Sequence, residues 1–135
     1  MVAITIAAEL GDLTRFDNPR QVAAFVGLTP SEHSSGETRR LGPITKAGNG
    51  RARRVLIEAA WAYRYNAKVS PSIQKRLESL PQRIQDIGWK AQLRLCKRFR
   101  RLTARGKHSN VAITAVAREL LAFMWAIAKE TPIEA

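Results

Sequence analysis

In "IGWKAQLRLCKRFRRLTARGK", residues 87–107, apolar and cationic side chains separate at helical spacing. Ala91, Leu95, Phe99 and Leu102 form one stripe, while Lys90, Arg94, Lys97, Arg98, Arg101 and Arg105 fall on the other side. A helix divided in this way must bury the first face against neighbours and leave the second to water or to a polyanion. Gly106 is its natural stop. The chain supplies the neighbours. "DNPRQVAAFVGL" offers Asn18 as N-cap, Pro19 at the first helical position and Gly27 as terminator. In "GRARRVLIEAAWAYRYN" a helix capped by Asn49 turns Ala52, Val55, Leu56, Ala59, Ala62 and Tyr63 to one side. A short helix is expected from Ser70 and Pro71 to Leu80, with a break at Pro81. The last helix, capped by Ser109 or Asn110, is apolar almost all round and is expected at the centre.

Residues 29–50 break this pattern. Pro30, Gly36, Gly42, Pro43, Gly48 and Gly50 punctuate a stretch without helical period, which leaves room for a short β-hairpin over 29–48. The fold class that follows is all-α, a mainly helical bundle in one domain over 1–135. It divides into a helical part (1–28), a connector (29–50) and the bundle proper (51–135). The connector is where composition points to chemistry. Glycines let backbone approach a phosphate, and the helix that follows adds amides and a favourable dipole. Around it stand Arg39, Arg40, Lys46, Asn49, Arg51, Arg53 and Arg54.

Twenty-three Lys and Arg against eleven Asp and Glu give a net charge of +12 on 135 residues. So large an excess makes nucleic acid the leading partner and an anionic membrane surface the second. The uncompensated face of the 87–107 helix points the same way, through phosphate rather than base contacts. Cys96 is the only cysteine and His33 and His108 the only histidines, so no disulfide, zinc site or other metal site is expected of this chain. The N-terminus carries neither a basic leader nor a cleavage site, which suits a cytoplasmic protein. Arg118 and Glu119 interrupt the apolar run 111–128, which argues for a buried helix rather than a membrane span.

Three constellations compete for chemistry. His33 and Ser35 would share a side of an extended strand, which could mimic a base and its nucleophile, but a lone His-x-Ser is a weak signal. Trp61 and Tyr65 could stack on bases or simply pack, and Tyr63 is assigned to the core. Glu58 is the natural ion-pair partner of the arginines around it. Composition alone supports a phosphate-gripping connector and does not distinguish Ser34 from Ser35.

The stretch "RFDNPRQVAAFVGLTPSEHSSGETRRLGPITKAGNGRARRVLIEAAW" closely resembles the C-terminal transposase domain of the bridge-RNA-guided insertion-sequence recombinases, the group related to the Piv DNA invertase. The resemblance is carried in order by Arg15-Phe16, Gln21, Gly27-Leu28, Pro30, Ser35-Gly36, Arg39, Gly42, Ile44, Lys46, Gly48-Asn49, Arg53 or Arg54, and Glu58 to Trp61. The later "WKAQLRLCKRFRRLTARGK" and "AVARELLAFMWAI" are similar to the family in a less distinctive way.

The resemblance implies a DNA transposase or recombinase in which a serine hydroxyl attacks a phosphodiester, and it assigns that role to Ser35. Arg39, Lys46 and the helix beginning near Asn49 would stabilise the charge that develops. It further implies a helix-hairpin-helix-like N-terminal part and, upstream, a RuvC-like domain whose DEDD acids hold Mg2+. In the family a coiled segment and the start of the helix-hairpin-helix-like element, ending in a Gly-x-Gly turn, follow that domain; this chain opens just beyond that turn, so the expectation is a C-terminal part that binds nucleic acid and is inactive alone. DNA, a guide RNA and further copies of the protein are the implied partners, with no membrane. The rival readings are a nucleic-acid-binding module without chemistry and a basic domain that docks on a protein or membrane.

Overall fold

The computed structural model describes residues 10–35, 38–44, 46, 48–67, 71, 74–75 and 78–130. Four α-helices and one antiparallel strand pair are bounded within the described residues, in the order α1 (Pro19–Phe25), β1 (Pro30–Ser35), β2 (Thr38–Ile44), α2 (Gly50–Ala60), α3 (Gln82–Ala104) and α4 (Ser109–Glu130). Short 3-10 turns at Leu13–Arg15 and Trp61–Arg64 precede α1 and extend α2. The helical fold class expected from the sequence holds, and the hairpin anticipated in the connector forms. Of the helix that the pattern of "VAITIAAEL" predicts up to Gly11, residues 1–9 lie outside the described residues, as do residues 70, 72–73 and 76–77 of that expected over 70–80.

The helix ends are set locally. Asn18 Oδ1 accepts from the Gln21 N–H at 3.1 Å, and Gln21 Oε1 accepts from the Asp17 N–H at 2.8 Å. This is a capping box shifted by one residue, with Pro19 at the first helical position where no N–H is needed. At the other end Leu28 N–H donates to Ala23 O and Gly27 N–H to Ala24 O, the paired bonds of a Schellman motif, with Gly27 at φ +74°. α3 closes identically: Lys107 N–H reaches Leu102 O, Gly106 N–H reaches Thr103 O, and Gly106 stands at φ +86°. Two ends differ from expectation. α3 begins at Gln82, directly after Pro81 and ahead of its apolar stripe. α4 is capped by His108, whose Nδ1 accepts from the Asn110 N–H at 3.1 Å, rather than by Ser109 or Asn110.

α4 is central, as its composition implies: it packs against α1, α2, α3 and the Leu13–Arg15 turn. Ala112, Ile113, Val116, Ala117 and Leu121 supply its buried face. Small residues let the backbones approach, so Ala52, Leu56 and Ala60 of α2 and Ala91 and Leu95 of α3 close on it from different sides. Val22, Val26 and Leu28 fill the third side, and Trp125 Nε1 donates to Phe16 O at 3.0 Å to tie the 3-10 turn to the far end of α4. By length and composition α4 could cross a membrane; here it is the helix around which the others pack. Tyr63 is partly buried against the core, and that burial pushes its phenol above the ordinary 10.0.

The strands pair with each other and pack little against the helices. Ile44, the last residue of β2, packs against the edge of the core. The register runs Pro30↔Ile44, Glu32↔Leu41, His33↔Arg40, Ser34↔Arg39 and Ser35↔Thr38, with an irregularity between Pro30 and Glu32. Residues 36 and 37, outside those described, link the strands.

Candidate functional site

The hairpin is rooted in the C-terminal end of α1. Three successive carbonyls there, of Val26, Gly27 and Leu28, are each taken by a different part of the chain. Arg53 Nη1, from α2, donates to Val26 O at 3.0 Å. The Lys46 N–H, just beyond β2, donates to Gly27 O at 3.1 Å. Arg118 Nε, from α4, donates to Leu28 O at 3.0 Å. Both legs of the hairpin are thereby fixed to the bundle. Gly48 makes the fit possible: at φ +84°, a Cβ there would lie 1.8 Å from Phe25 O. Lys46 also sits at positive φ, +55°. Arg118 is half-buried, and burial, reinforced by the nearby charge of Arg98 and opposed by Glu119, lowers its pKa below the ordinary arginine value.

Against this frame the connector cations divide. Arg53 is turned to the α1 end, where its Nη1 is taken by Val26 O. Asn49 is an N-cap whose side-chain oxygen already accepts the Ala52 N–H at 3.0 Å, so that amide is occupied. Lys46, Arg51 and Arg54 are exposed. Gly50, Arg53, Arg54, Ile57 and Glu58 line a shallow depression of about 320 Å³. The ion pair expected of Glu58 does not form among the described residues. Ser35, Arg39 and Arg40 are placed by their backbone: Ser35 ends β1, Arg39 pairs with Ser34, and Arg40 pairs with His33. By the period of two along a ladder, Ser35, His33, Thr38 and Arg40 occupy one face, and Ser34 and Arg39 the other.

Of the six cations on α3 expected to face away from the core, Lys90, Arg94, Lys97, Arg101 and the C-cap Arg105 are exposed and Arg98 is half-buried, so they do not make one uniform patch. Glu119, one residue after Arg118 on α4, reaches across to Arg94 Nη2 at 3.0 Å and to Arg98 Nε at 3.7 Å. The face therefore carries a counter-charge supplied from α4. The pairing is incomplete, since Arg98 Nε and Glu119 Oε2 are buried without a hydrogen-bond partner. Lys90, Lys97, Arg101 and Arg105 are exposed and have no partner among the described residues. Lys90, Leu93, Arg94, Lys97, Arg98 and Arg101 line a groove of about 310 Å³ along the helix. Further round, Arg100 Nη1 donates to Asn66 Oδ1 at 2.8 Å, and Arg64 stacks over Trp61 and Tyr65, 5.7 and 4.8 Å from their ring centroids.

Three features escaped the sequence reading. Arg118 and Glu119 looked like charges interrupting an apolar helix, and only the fold reveals that one holds the hairpin and the other the basic face. Trp89 and Leu93, 45% and 49% exposed, stand at the edge of that face. Their helical positions beside Lys90 and Lys97 were available as a signal.

The sequence profile of the transposase IS116/IS110/IS902 family matches residues 1–77. A putative transposase, y4qE, of Sinorhizobium fredii is 52% identical over 130 residues, which cover 96% of this chain and 33% of that protein. A probable family 20 transposase of Pseudomonas aeruginosa is 40% identical over 82 residues, 60% of this chain and 24% of its own length. The transposase for insertion sequence element IS1111A of Coxiella burnetii is 42% identical over 62 residues, 46% of this chain and 17% of its own. The chain thus spans at most about a third of the length of these curated relatives.

Proposed function

Because this chain belongs to the IS116/IS110/IS902 transposase family, we propose that it is the part of a DNA transposase that carries the serine nucleophile, Ser35, and grips phosphates with the cations around it. The observation that supports this most is the hairpin: a strand pair held at its foot by Arg53, Lys46 and Arg118, with Ser35 at the other end of β1. A nucleophile must reach a phosphodiester and still be held in place, and a projecting ladder with a fixed base meets both needs.

In the proposed step the Ser35 oxygen forms a bond to phosphorus as the bond from phosphorus to one bridging sugar oxygen breaks. The serine proton leaves to a base, and the departing sugar oxygen takes up a proton. Charge that builds on the non-bridging oxygens needs donors in place beforehand. Arg40, on the Ser35 face of the ladder, and Lys46, at its foot, are the candidates; the register moves Arg39 to the face of Ser34. The wider reading includes a guide RNA, a homo-oligomer and a DNA-associated place in a prokaryotic cytoplasm. Mg2+ would belong to acids of an N-terminal RuvC-like domain. Among the described residues no three His, Cys, Asp or Glu converge, so these residues furnish no site for it, and no step is drawn through one.

The test is Ser35→Ala in the complete transposase. Transposition should vanish while DNA binding persists, and Ser34→Ala should retain activity. Transposition that survives Ser35→Ala would remove the nucleophile assignment and leave a binding module.

A further inference from the structure

The outer surface of α3 is built as two parallel ridges. Trp89, Leu93, Lys97 and Arg101 follow one another at i+4, and Lys90, Arg94 and Arg98 form the next row, with the groove between them. The two rows differ in what they offer. In the second, Arg94 and Arg98 are already engaged by Glu119. In the first, Lys97 and Arg101 have no partner among the described residues, and the ridge continues into a tryptophan and a leucine that are half exposed. The first ridge rises about 18 Å along the helix. Nearly half of the Trp89 surface is left to water.

We propose that this ridge and groove bind an unpaired nucleic-acid strand, with Lys97, Arg101 and Lys90 tracking its phosphates and Trp89 stacking on a base. The inference rests on the nucleic-acid-binding half of the function proposed above and adds which form of nucleic acid this face takes. A duplex hides the flat faces of its bases and offers an outer surface of phosphates, for which the cations alone would suffice. An unpaired strand exposes both, and pairing cations with an aromatic side chain matches it. The chemistry is common to unpaired DNA and RNA, so the probes must include each.

The experiment measures anisotropy of labelled oligothymidine, oligouridine and a blunt DNA duplex of matched phosphate number against the whole chain, alongside Trp89→Ala and Trp89→Phe. Either unpaired oligomer should bind more tightly than the duplex, and the preferred one reports whether DNA or RNA is the natural strand. Trp89→Ala should weaken that binding about 5- to 150-fold, the range of one lost stacking contact, and leave duplex binding within about twofold. Trp89→Phe should keep most of the affinity, which a lost fold would not allow. Lys97→Gln should lower the slope of log affinity against log salt by about 0.7. Tighter binding of the duplex, or equal weakening of all probes by Trp89→Ala, overturns the inference and leaves the transposase reading intact. Failure to bind any probe overturns both.

Discussion

Replacing Arg118 by Met tests whether the base of the hairpin is held from α4. Its Nε–H bonds Leu28 O at 3.0 Å, and Leu28 is fully buried, so the carbonyl has no water to turn to. A hydrogen bond from a charged donor contributes about 1.5–3 kcal/mol. Burial of the guanidinium offsets part of that, as its lowered pKa indicates. The expected net loss is about 1–2 kcal/mol. With an unfolding entropy near 2.1 cal/mol/K per residue, a chain of 135 residues should melt about 4–7 °C lower. Thermal unfolding followed by far-ultraviolet circular dichroism reads this directly. Arg105→Met is the control, being exposed and without a partner among the described residues; it should stay within about 0.5 kcal/mol. Arg53→Met removes the neighbouring bond to Val26 O. Since both arginines hold one helix end, the double variant should lose about 0.5 kcal/mol less than the sum. Arg118→Met melting with its control, or strict additivity, would refute the clamp. In the complete transposase, Arg118→Met should depress strand exchange more than DNA affinity, because what it disturbs is placement.

Gly48→Ala should cost at least about 2 kcal/mol in denaturant unfolding, since strain at positive φ adds to a collision with Phe25 O. Gly106→Ala, at φ +86° with open space around it, should cost only the strain, about 1–2 kcal/mol. Burial raises the Cys96 thiol above its ordinary 9.0 and the Tyr63 phenol above 10.0. The unfolded chain then ionises first, so their contribution is whole below about pH 9 and is lost as pH rises through the folded-state values. A urea midpoint that stays flat from pH 8 to 11 would contradict this. Glu119→Gln should release Arg94 and Arg98, tighten binding of an unpaired strand and steepen its salt dependence by about 0.7 per arginine freed; unchanged binding in a salt titration would count against that competition.

What the sequence revealed and what it hid follow from the range of the forces involved. Asn18, Pro19, Gly27, Asn49 and Gly106 mark helix ends because capping is settled within a few residues. The stripe of α3 was legible for the same reason, but residues 82–86 carry no such stripe and the true start of the helix was missed. His108 was overlooked because its capping atom is a ring nitrogen, where a hydroxyl or carboxamide is the usual signal. The hairpin was foreseen only as an option, since glycine and proline announce a turn without fixing a register. Arg118 and Glu119 could not be read at all. Their partners are 90 and 25 residues away, and no local pattern encodes such a distance.

The net charge of +12 suggested a polyanion before any fold was known, but the arginines and lysines that produce it have separate roles. Arg53 and Arg118 satisfy carbonyls at the root of the hairpin. Arg15, Arg64 and Lys129 lie over aromatic rings, and Arg83 pairs with Glu130 at 3.1 Å. Arg94 and Arg98 are tethered to Glu119. Lys46, Arg54, Lys90, Lys97, Arg101 and Arg105, together with Arg20, Lys75 and Lys107, have no side-chain partner among the described residues. Counterion release depends on the cations that meet phosphates, not on the total. A salt slope set by these few would therefore fall well short of one set by the whole positive charge. Two groups of these cations stand around the connector and along α3, with α4 packed against α2 and α3. Adjacent residues of α4, Arg118 and Glu119, hold the root of the first site and restrain the cations of the second. One helical turn of the central helix thus sets the geometry of the proposed reacting end and the charge of the proposed binding face.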